Sequence, residues 1–72
     1  MPTAIINGRR VDLPERSSAD EIRTVGRIAS GRSVIKRTRE GNYLIPGGTT
    51  VEILDGDRFI DAPARVKGGS RR

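Results

Sequence analysis

The sequence predicts an α+β fold in which one helix packs on a mixed sheet of four or five strands. Three observations support this: an Asn-Gly turn between two short apolar strands, a single well-capped helix, and further strand signals separated by turns. A helix with one apolar face must bury it against another layer, and the strands provide that layer. At 72 residues the chain has room for one domain.

Residues 3–14 predict a β-hairpin. Asn7-Gly8 is the dipeptide that best tolerates the positive φ values of a type I′ turn. With a two-residue loop, one face of the hairpin collects four core candidates: Ala4, Ile6, Val11 and Leu13. Ile5 then lies on the opposite face.

The helix is predicted near residues 18–30. Ser18 and Glu21 have the spacing of a capping box, in which each side chain binds the backbone N–H of the other residue. Four apolar residues are then expected on one side of the helix: Ile22, Val25, Ile28 and Ala29. Gly26 weakens a helix by about 1 kcal/mol relative to Ala, so we expect it to allow close approach to the sheet. Gly31 is the predicted C-terminal cap.

Beyond the helix, strand and turn signals alternate: a strand over residues 33–38, a turn at Gly41-Asn42, a short strand over residues 43–45, a turn at Asp55-Gly56-Asp57 and a last strand over residues 58–62. Residues 49–54 fit either a strand or a single helical turn. Val34 and Phe59 complete the predicted core. The Asp55/Asp57 pair lacks further oxygen ligands at regular spacing, so we interpret it as a turn and predict no metal site.

The composition excludes several kinds of active site. The chain has no Cys and no His, which excludes thiol nucleophiles, disulfides and ordinary zinc sites, and we expect no enzymatic activity of its own. The sequence contains neither a signal peptide nor an apolar stretch of about 20 residues, so a cytoplasmic protein without membrane association is expected.

The net charge of +5 invites a nucleic-acid function, but basic side chains are interleaved with nine acidic ones. Tyr43 and Phe59 are the only aromatic residues that could stack on bases, and Phe59 is a core candidate. The dense basic run Lys36-Arg37-Thr38-Arg39 is interpreted as a solvated face. Nucleic acid is therefore an unlikely partner, and a small basic nucleic-acid-binding domain is kept as an alternative.

Gly68-Gly69 is the most informative motif of the chain. Two residues without side chains can pass through a channel one backbone wide and bring a carboxylate or a scissile bond into a partner's active site. The alternative is an ordinary solvated tail. We therefore expect a domain over residues 1–62 and a flexible tail over residues 63–72, with a removable extension at 70–72.

Together these features resemble the ubiquitin-like proteins of the β-grasp superfamily. The matching segments are the Asn7-Gly8 hairpin, the single helix, the stretches 41–45 and 55–61, and the tail 65–69. The chain most resembles bacterial ubiquitin-like modifiers and multiubiquitin-domain proteins, and more distantly the sulfur carriers of thiamin and molybdopterin synthesis. It departs from multiubiquitin proteins in having one copy of the domain, and from most sulfur carriers in having residues beyond the diglycine.

The resemblance implies a protein modifier that needs no cofactor of its own. A deubiquitinase-like peptidase would remove Ser70, Arg71 and Arg72 and expose the carboxylate of Gly69. An activating enzyme would adenylate this carboxylate with ATP, and a conjugating enzyme would pass it to protein targets through an isopeptide or ester bond. Gly68 would give clearance in the partner's channel.

The resemblance also suggests residues that contact partners. Arg65 and Lys67 would steer the tail electrostatically into acidic grooves. Ile35 and Ile60 would form an exposed apolar patch on the sheet, with ordinary packing as the alternative. A sulfur carrier, in which Gly69 becomes a thiocarboxylate, is the second function within the same fold. Lys36 and Lys67 are the only lysines, so these two and the N-terminal amine are the acceptors available for a further copy of the modifier.

Overall fold

The computed structural model describes residues 1–63. Its elements in chain order are β1 (Thr3–Ile6), β2 (Arg9–Asp12), β3 (Arg16–Ser18), α1 (Ala19–Gly26), β4 (Arg32–Thr38), β5 (Gly41–Ile45), β6 (Thr50–Glu52) and β7 (Arg58–Pro63). Five strands form the main sheet in the order β2-β1-β7-β4-β5, and β3 pairs with β6 in a small second sheet.

The main sheet is mixed, because β1 and β7 run parallel while the other neighbouring strands run antiparallel. The last strand, β7, lies at the centre of the sheet, between β1 and β4. The predicted α+β architecture of one helix on a mixed sheet is therefore confirmed for the described part of the chain.

The hairpin forms as predicted. Asn7 and Gly8 have φ values of 51° and 83°, as a type I′ turn requires, and Ile6 pairs with Arg9 across a two-residue loop. Ala4, Ile6 and Leu13 are buried, and Val11 packs against the core as a partly buried residue.

The start of the helix is also confirmed. The Ser18 backbone N–H donates to Glu21 Oε1 at 2.8 Å, and the Glu21 backbone N–H donates to Ser18 Oγ at 3.1 Å. These two bonds satisfy donors that the first helical turn leaves without partners. Gly26 is buried and faces Ile6, as the predicted close approach requires.

The predicted end of the helix was wrong. The helix stops at Gly26, and Arg27 adopts the left-handed conformation with φ 59° that we expected at Gly31. The Arg27 N–H bonds to the carbonyl of Thr24 and the Ile28 N–H bonds to that of Arg23 at 2.8 Å, which is the hydrogen-bond pattern of a Schellman ending. This turn carries Ile28 back into the core.

The predicted apolar side of the helix was partly wrong for the same reason. Val25 is 37% exposed and Ala29 is exposed, whereas Ile22 and Ile28 are buried. The helix faces the sheet with Ala19, Ile22 and Gly26, which have the spacing of one helical face. Because the helix ends at Gly26, helical spacing does not determine which way Ala29 faces.

The turn between β4 and β5 lies two residues earlier than predicted. Gly41 and Asn42 belong to β5, and the loop consists of Arg39 and Glu40. Thr38 shapes this loop, since its Oγ1 accepts from the backbone N–H groups of Glu40 and Gly41 at 3.1 and 3.2 Å.

The ambiguous segment 49–54 contains strand β6, which pairs with β3. Strand β3 was not predicted from the sequence. Pro63, which was expected to begin the tail, is the last residue of β7 and lies opposite Arg32. The buried apolar core lies between the helix and the sheet: Ala4, Ile6, Leu13, Ala19, Ile22, Ile28, Val34, Ile45, Ile53 and Phe59.

Candidate functional site

The predicted processing and conjugation site lies outside the described residues. This applies to Gly68, Gly69 and the extension Ser70-Arg71-Arg72, and also to the predicted partner contacts Arg65 and Lys67. The structure instead describes the strand that leads toward this segment, and the surface of the sheet that surrounds that strand.

Strand β7 is held in place by hydrogen bonds to β1 and to the turn that follows β1. The Ile5 N–H donates to the carbonyl of Asp57 at 2.8 Å, and the Asn7 N–H donates to the carbonyl of Phe59 at 3.0 Å. The Asn7 side chain also accepts from the Asp61 N–H at 3.4 Å. The β1 strand and the turn that follows it therefore hold the backbone from Asp57, just before β7, to Asp61 within it.

An ion pair joins β7 to β4. Arg32 donates from Nε to the Asp61 carboxylate, and the carbonyl of Arg32 accepts from Arg23 Nε at 2.9 Å. This hydrogen bond from Arg32 lowers the pKa of Asp61 below its usual value of 3.8. A hydrogen bond with Asn7 acts in the same direction, and desolvation opposes both. Arg32 and Asp61 thus connect the two strands at the end of β7 nearest the predicted tail.

The two faces of the main sheet differ in environment. Partners in register across the sheet point to the same side, and the buried pairs Ile6/Phe59 and Val34/Ile45 mark the side covered by the helix. The intervening residues of each strand lie on the opposite side, which we call the open face.

Ile35 and Ile60, the predicted patch, lie directly opposite each other on the open face. Both are half-buried, and Leu44, the register partner of Ile35 on β5, is 61% exposed. We call Ile60, Ile35 and Leu44 the apolar row. Alternation along β5 places Leu44 on the same face as Ile35 and Ile60. That these three residues are neighbours follows only from the strand order.

A second row on the open face carries basic side chains. Four residues are in register across β2, β1, β7 and β4: Arg10, Ile5, Arg58 and Arg37. All three arginines are exposed. We call Arg10, Arg58 and Arg37 the arginine row. A concavity of about 340 Å³ is lined by Arg37 and Arg58 of this row, by Ile60 of the apolar row, and by Ile5, Gly8 and Phe59. Sequence reasoning missed this row because its members come from three separate strands.

The Asp55-Gly56-Asp57 segment is a turn, as predicted. Asp55 Oδ1 accepts from the Thr3 N–H at 2.8 Å, and Asp57 Oδ2 accepts from the Leu54 N–H at 2.9 Å. Asp57 also lies 3.5 Å from Lys36 Nζ. Within residues 1–63 no group of three or more His, Cys, Asp or Glu side chains is placed to hold a metal ion.

Lys36, one of the two predicted acceptor lysines, is on the helix side of β4, opposite Phe59 and Tyr43. Its side chain is 28% exposed and engaged with Asp57. An amine in this position must leave its carboxylate partner before it can react with an acyl group.

The α1 helix, the helix of the described region, is too short to cross a membrane. Comparisons of the chain with protein-family models, curated proteins and solved structures found no match.

Proposed function

We propose that this chain is a ubiquitin-like protein modifier with a β-grasp fold, and that Gly69 becomes covalently attached to target proteins. The observation that carries the proposal is the position of β7 between β1 and β4, at the centre of the sheet. A strand held on both sides can anchor a segment that a partner draws into its active site. Gly68 follows the end of β7 by five residues.

The chemistry proceeds at the Gly69 carbonyl and uses catalytic groups of partner enzymes. A peptidase hydrolyses the Gly69–Ser70 bond. The carboxylate then attacks the α-phosphorus of ATP, which releases pyrophosphate and leaves an acyl adenylate. A partner nucleophile displaces AMP, and a target amine displaces that nucleophile to form the amide. A target hydroxyl gives an ester instead.

The rest of the chain supports this role without taking part in catalysis. A modifier contributes only its own carboxylate, so the lack of Cys and His in the sequence is consistent with the mechanism. Arg65 and Lys67 guide the tail toward acidic grooves of the activating and conjugating enzymes. Ile35 and Ile60 provide apolar contact area for these partners on the open face.

The experiment compares the full chain, tagged at the exposed Met1, with two single substitutions in its native host. Gly69→Ala adds a Cβ next to the scissile bond. Gly47→Ala is the matched control, because Gly47 lies in an exposed loop where a Cβ meets no atom within 4 Å. The intact mass of the wild type and of Gly47→Ala should correspond to residues 1–69, and Gly69→Ala should keep all residues.

Trypsin provides a second measurement, because it cleaves after Lys67 and leaves Gly68-Gly69 on the modified lysine of a target. These remnants should be present with the wild type and Gly47→Ala and absent with Gly69→Ala. If the wild type retains Ser70-Arg71-Arg72 and forms no adduct, the proposal is wrong. If Gly69 exchanges one carboxylate oxygen for sulfur and no adduct forms, the chain is a sulfur carrier.

A further inference from the structure

The arginine row places two like charges directly opposite each other. Arg37 on β4 and Arg58 on β7 are register partners, and Arg10 lies two strands from Arg58 on the same face. Like charges at opposed positions of a sheet destabilise the pairing. The arrangement therefore costs stability in the free protein.

The acidic side chains of the described residues do not relieve this repulsion. Within residues 1–63, ion pairs shorter than 4.0 Å involve Arg23, Arg32 and Lys36, and none involves the arginine row. On the open face Asp12 is the nearest acid along β2 from Arg10, and it accepts a hydrogen bond from Thr3 Oγ1 at 3.0 Å. The three guanidinium groups are thus available to an external anion.

The apolar row lies beside the arginine row, two residues further along the strands. This separation is about 7 Å, and Arg10 and Arg37 are three strand spacings, or about 14 Å, apart. The concavity of about 340 Å³ is lined by members of both rows, Arg37 and Arg58 from one and Ile60 from the other. The surface therefore presents positive charge and apolar area side by side.

We propose that the open face binds an acidic peptide segment of a partner protein. Its carboxylates pair with Arg37 and Arg58, and an adjacent apolar side chain packs on Ile60 and Ile35. Arginine suits this role because its planar donor fork matches a carboxylate. The proposal rests on the open face and does not depend on the diglycine or on conjugation.

Charge and shape favour a peptide over a nucleic acid. The central positions of the surface are aliphatic, and the single Tyr and single Phe of the chain lie in register on the helix side, opposite Lys36. Sites that bind single-stranded nucleic acids combine a basic groove with aromatic side chains on which the bases stack. Carboxylate-bearing peptides need only the guanidinium groups and the aliphatic surface.

The test measures binding of fluorescent synthetic peptides to the full chain by anisotropy. The main probe contains Glu and Leu; a second replaces Leu with Ser, and a third replaces Glu with Lys. The double variant Arg37→Gln/Arg58→Gln is compared with Arg9→Gln/Arg16→Gln, which removes the same charge from exposed arginines outside the row. Leu44→Gln tests the apolar row at an exposed position.

Arg37→Gln/Arg58→Gln should bind the Glu/Leu peptide at least about tenfold more weakly than the wild type, and the matched variant should stay within about threefold. Leu44→Gln and the Glu/Ser peptide should each weaken binding, and the Lys/Leu peptide should not bind. The melting temperature of Arg37→Gln/Arg58→Gln should equal or exceed that of the wild type, because a repulsive pair is removed.

Equal losses in the two double variants would overturn the proposal, because binding would then follow net charge. A lower melting temperature of Arg37→Gln/Arg58→Gln would overturn it too, by assigning the row a structural role. Tighter binding of oligothymidine than of the Glu/Leu peptide, dependent on the same two arginines, would replace it with a nucleic-acid site.

Discussion

Gly26 shows how a single residue sets the distance between helix and sheet. A Cβ at this position would lie 2.6 Å from Ile6 Cγ2 and 2.9 Å from Ile6 Cδ1. Ile6 is 1% exposed and β-branched, so its side chain has little freedom to move away. The helix therefore packs on the hairpin at a distance that only glycine permits.

Gly26→Ala should destabilise the protein even though alanine is the better helix former. The propensity gain of about 1 kcal/mol is opposed by an overpacking cost of about 1–3 kcal/mol, for a net loss of up to about 2 kcal/mol. Urea denaturation measures the loss. Gly31→Ala is the control, because its Cβ meets no atom within 4 Å, and it should change the unfolding free energy by less than about 0.5 kcal/mol. A gain in stability for Gly26→Ala would contradict the packing argument.

Residue-scale predictions succeeded where the determining interactions are local. Asn7-Gly8 and the Ser18/Glu21 capping box depend on neighbours within three positions, and both formed as expected. The close approach at Gly26 was also expected, but its partner Ile6 belongs to a different element. The left-handed Arg27 was missed, because arginine seldom adopts positive φ and Gly31 offered a better cap.

At the scale of elements, the predictions failed where a strand forms only by pairing with a segment distant in the chain. β3 has three residues and only becomes a strand by pairing with β6, far along the chain. The same pairing resolves the ambiguity of residues 49–54. The turn at Arg39-Glu40 was placed two residues late because glycine and asparagine attract a turn assignment, whereas Thr38 provides the hydrogen bonds that shape the loop.

The Arg32–Asp61 pair links β4 to β7 and makes their pairing dependent on pH. The pKa of Asp61 is lowered in the folded state, chiefly by the hydrogen bond from Arg32. A carboxyl whose folded pKa lies below the unfolded value of 3.8 contributes stability above about pH 4. That contribution is lost as the pH falls through the folded pKa.

Asp61→Asn should therefore be less stable than the wild type at pH 6, and the difference should shrink toward pH 2. Arg32→Gln should reproduce the loss at pH 6, since it removes the donor that lowers the pKa of Asp61. Urea midpoints at a series of pH values provide the measurement. A difference between Asp61→Asn and the wild type that stays constant from pH 6 to pH 2 would show that the ion pair does not stabilise the fold.

At the scale of the whole molecule, the open face was predictable only in part. Ile35 and Ile60 were named from the family resemblance as an apolar patch on the sheet, and the register places them opposite each other. The arginine row required the strand order as well, since β7 brings Arg58 between Ile5 and Arg37. Arg37 had been interpreted as part of a solvated basic run. Its sequence neighbours alone do not distinguish such a run from a binding surface.

The distribution of charge between domain and tail determines which part of the chain attracts a polyanion. Residues 1–63 contain ten basic and nine acidic side chains, so four of the five net positive charges belong to residues 64–72. Weak, sequence-independent attraction to nucleic acid should therefore depend on Arg65, Lys67, Arg71 and Arg72, and a recognition site within the domain should not be needed to explain it.

Replacing these four tail residues with Gln lowers the net charge from +5 to +1 without changing the domain. This variant should lose nearly all binding to oligothymidine, and the slope of log K against log salt should fall in magnitude by up to about 3.

A matched variant neutralises four exposed arginines of the domain: Arg9, Arg16, Arg27 and Arg39. It should keep most of the binding, because residues 64–72 contain four basic side chains and no acidic one, whereas residues 1–63 contain nine acidic side chains beside their ten basic ones. Filter binding at several salt concentrations separates the two variants. If the matched variant loses binding and the tail variant keeps it, the domain itself carries a nucleic-acid site, and the small basic nucleic-acid-binding domain becomes the better description of this chain.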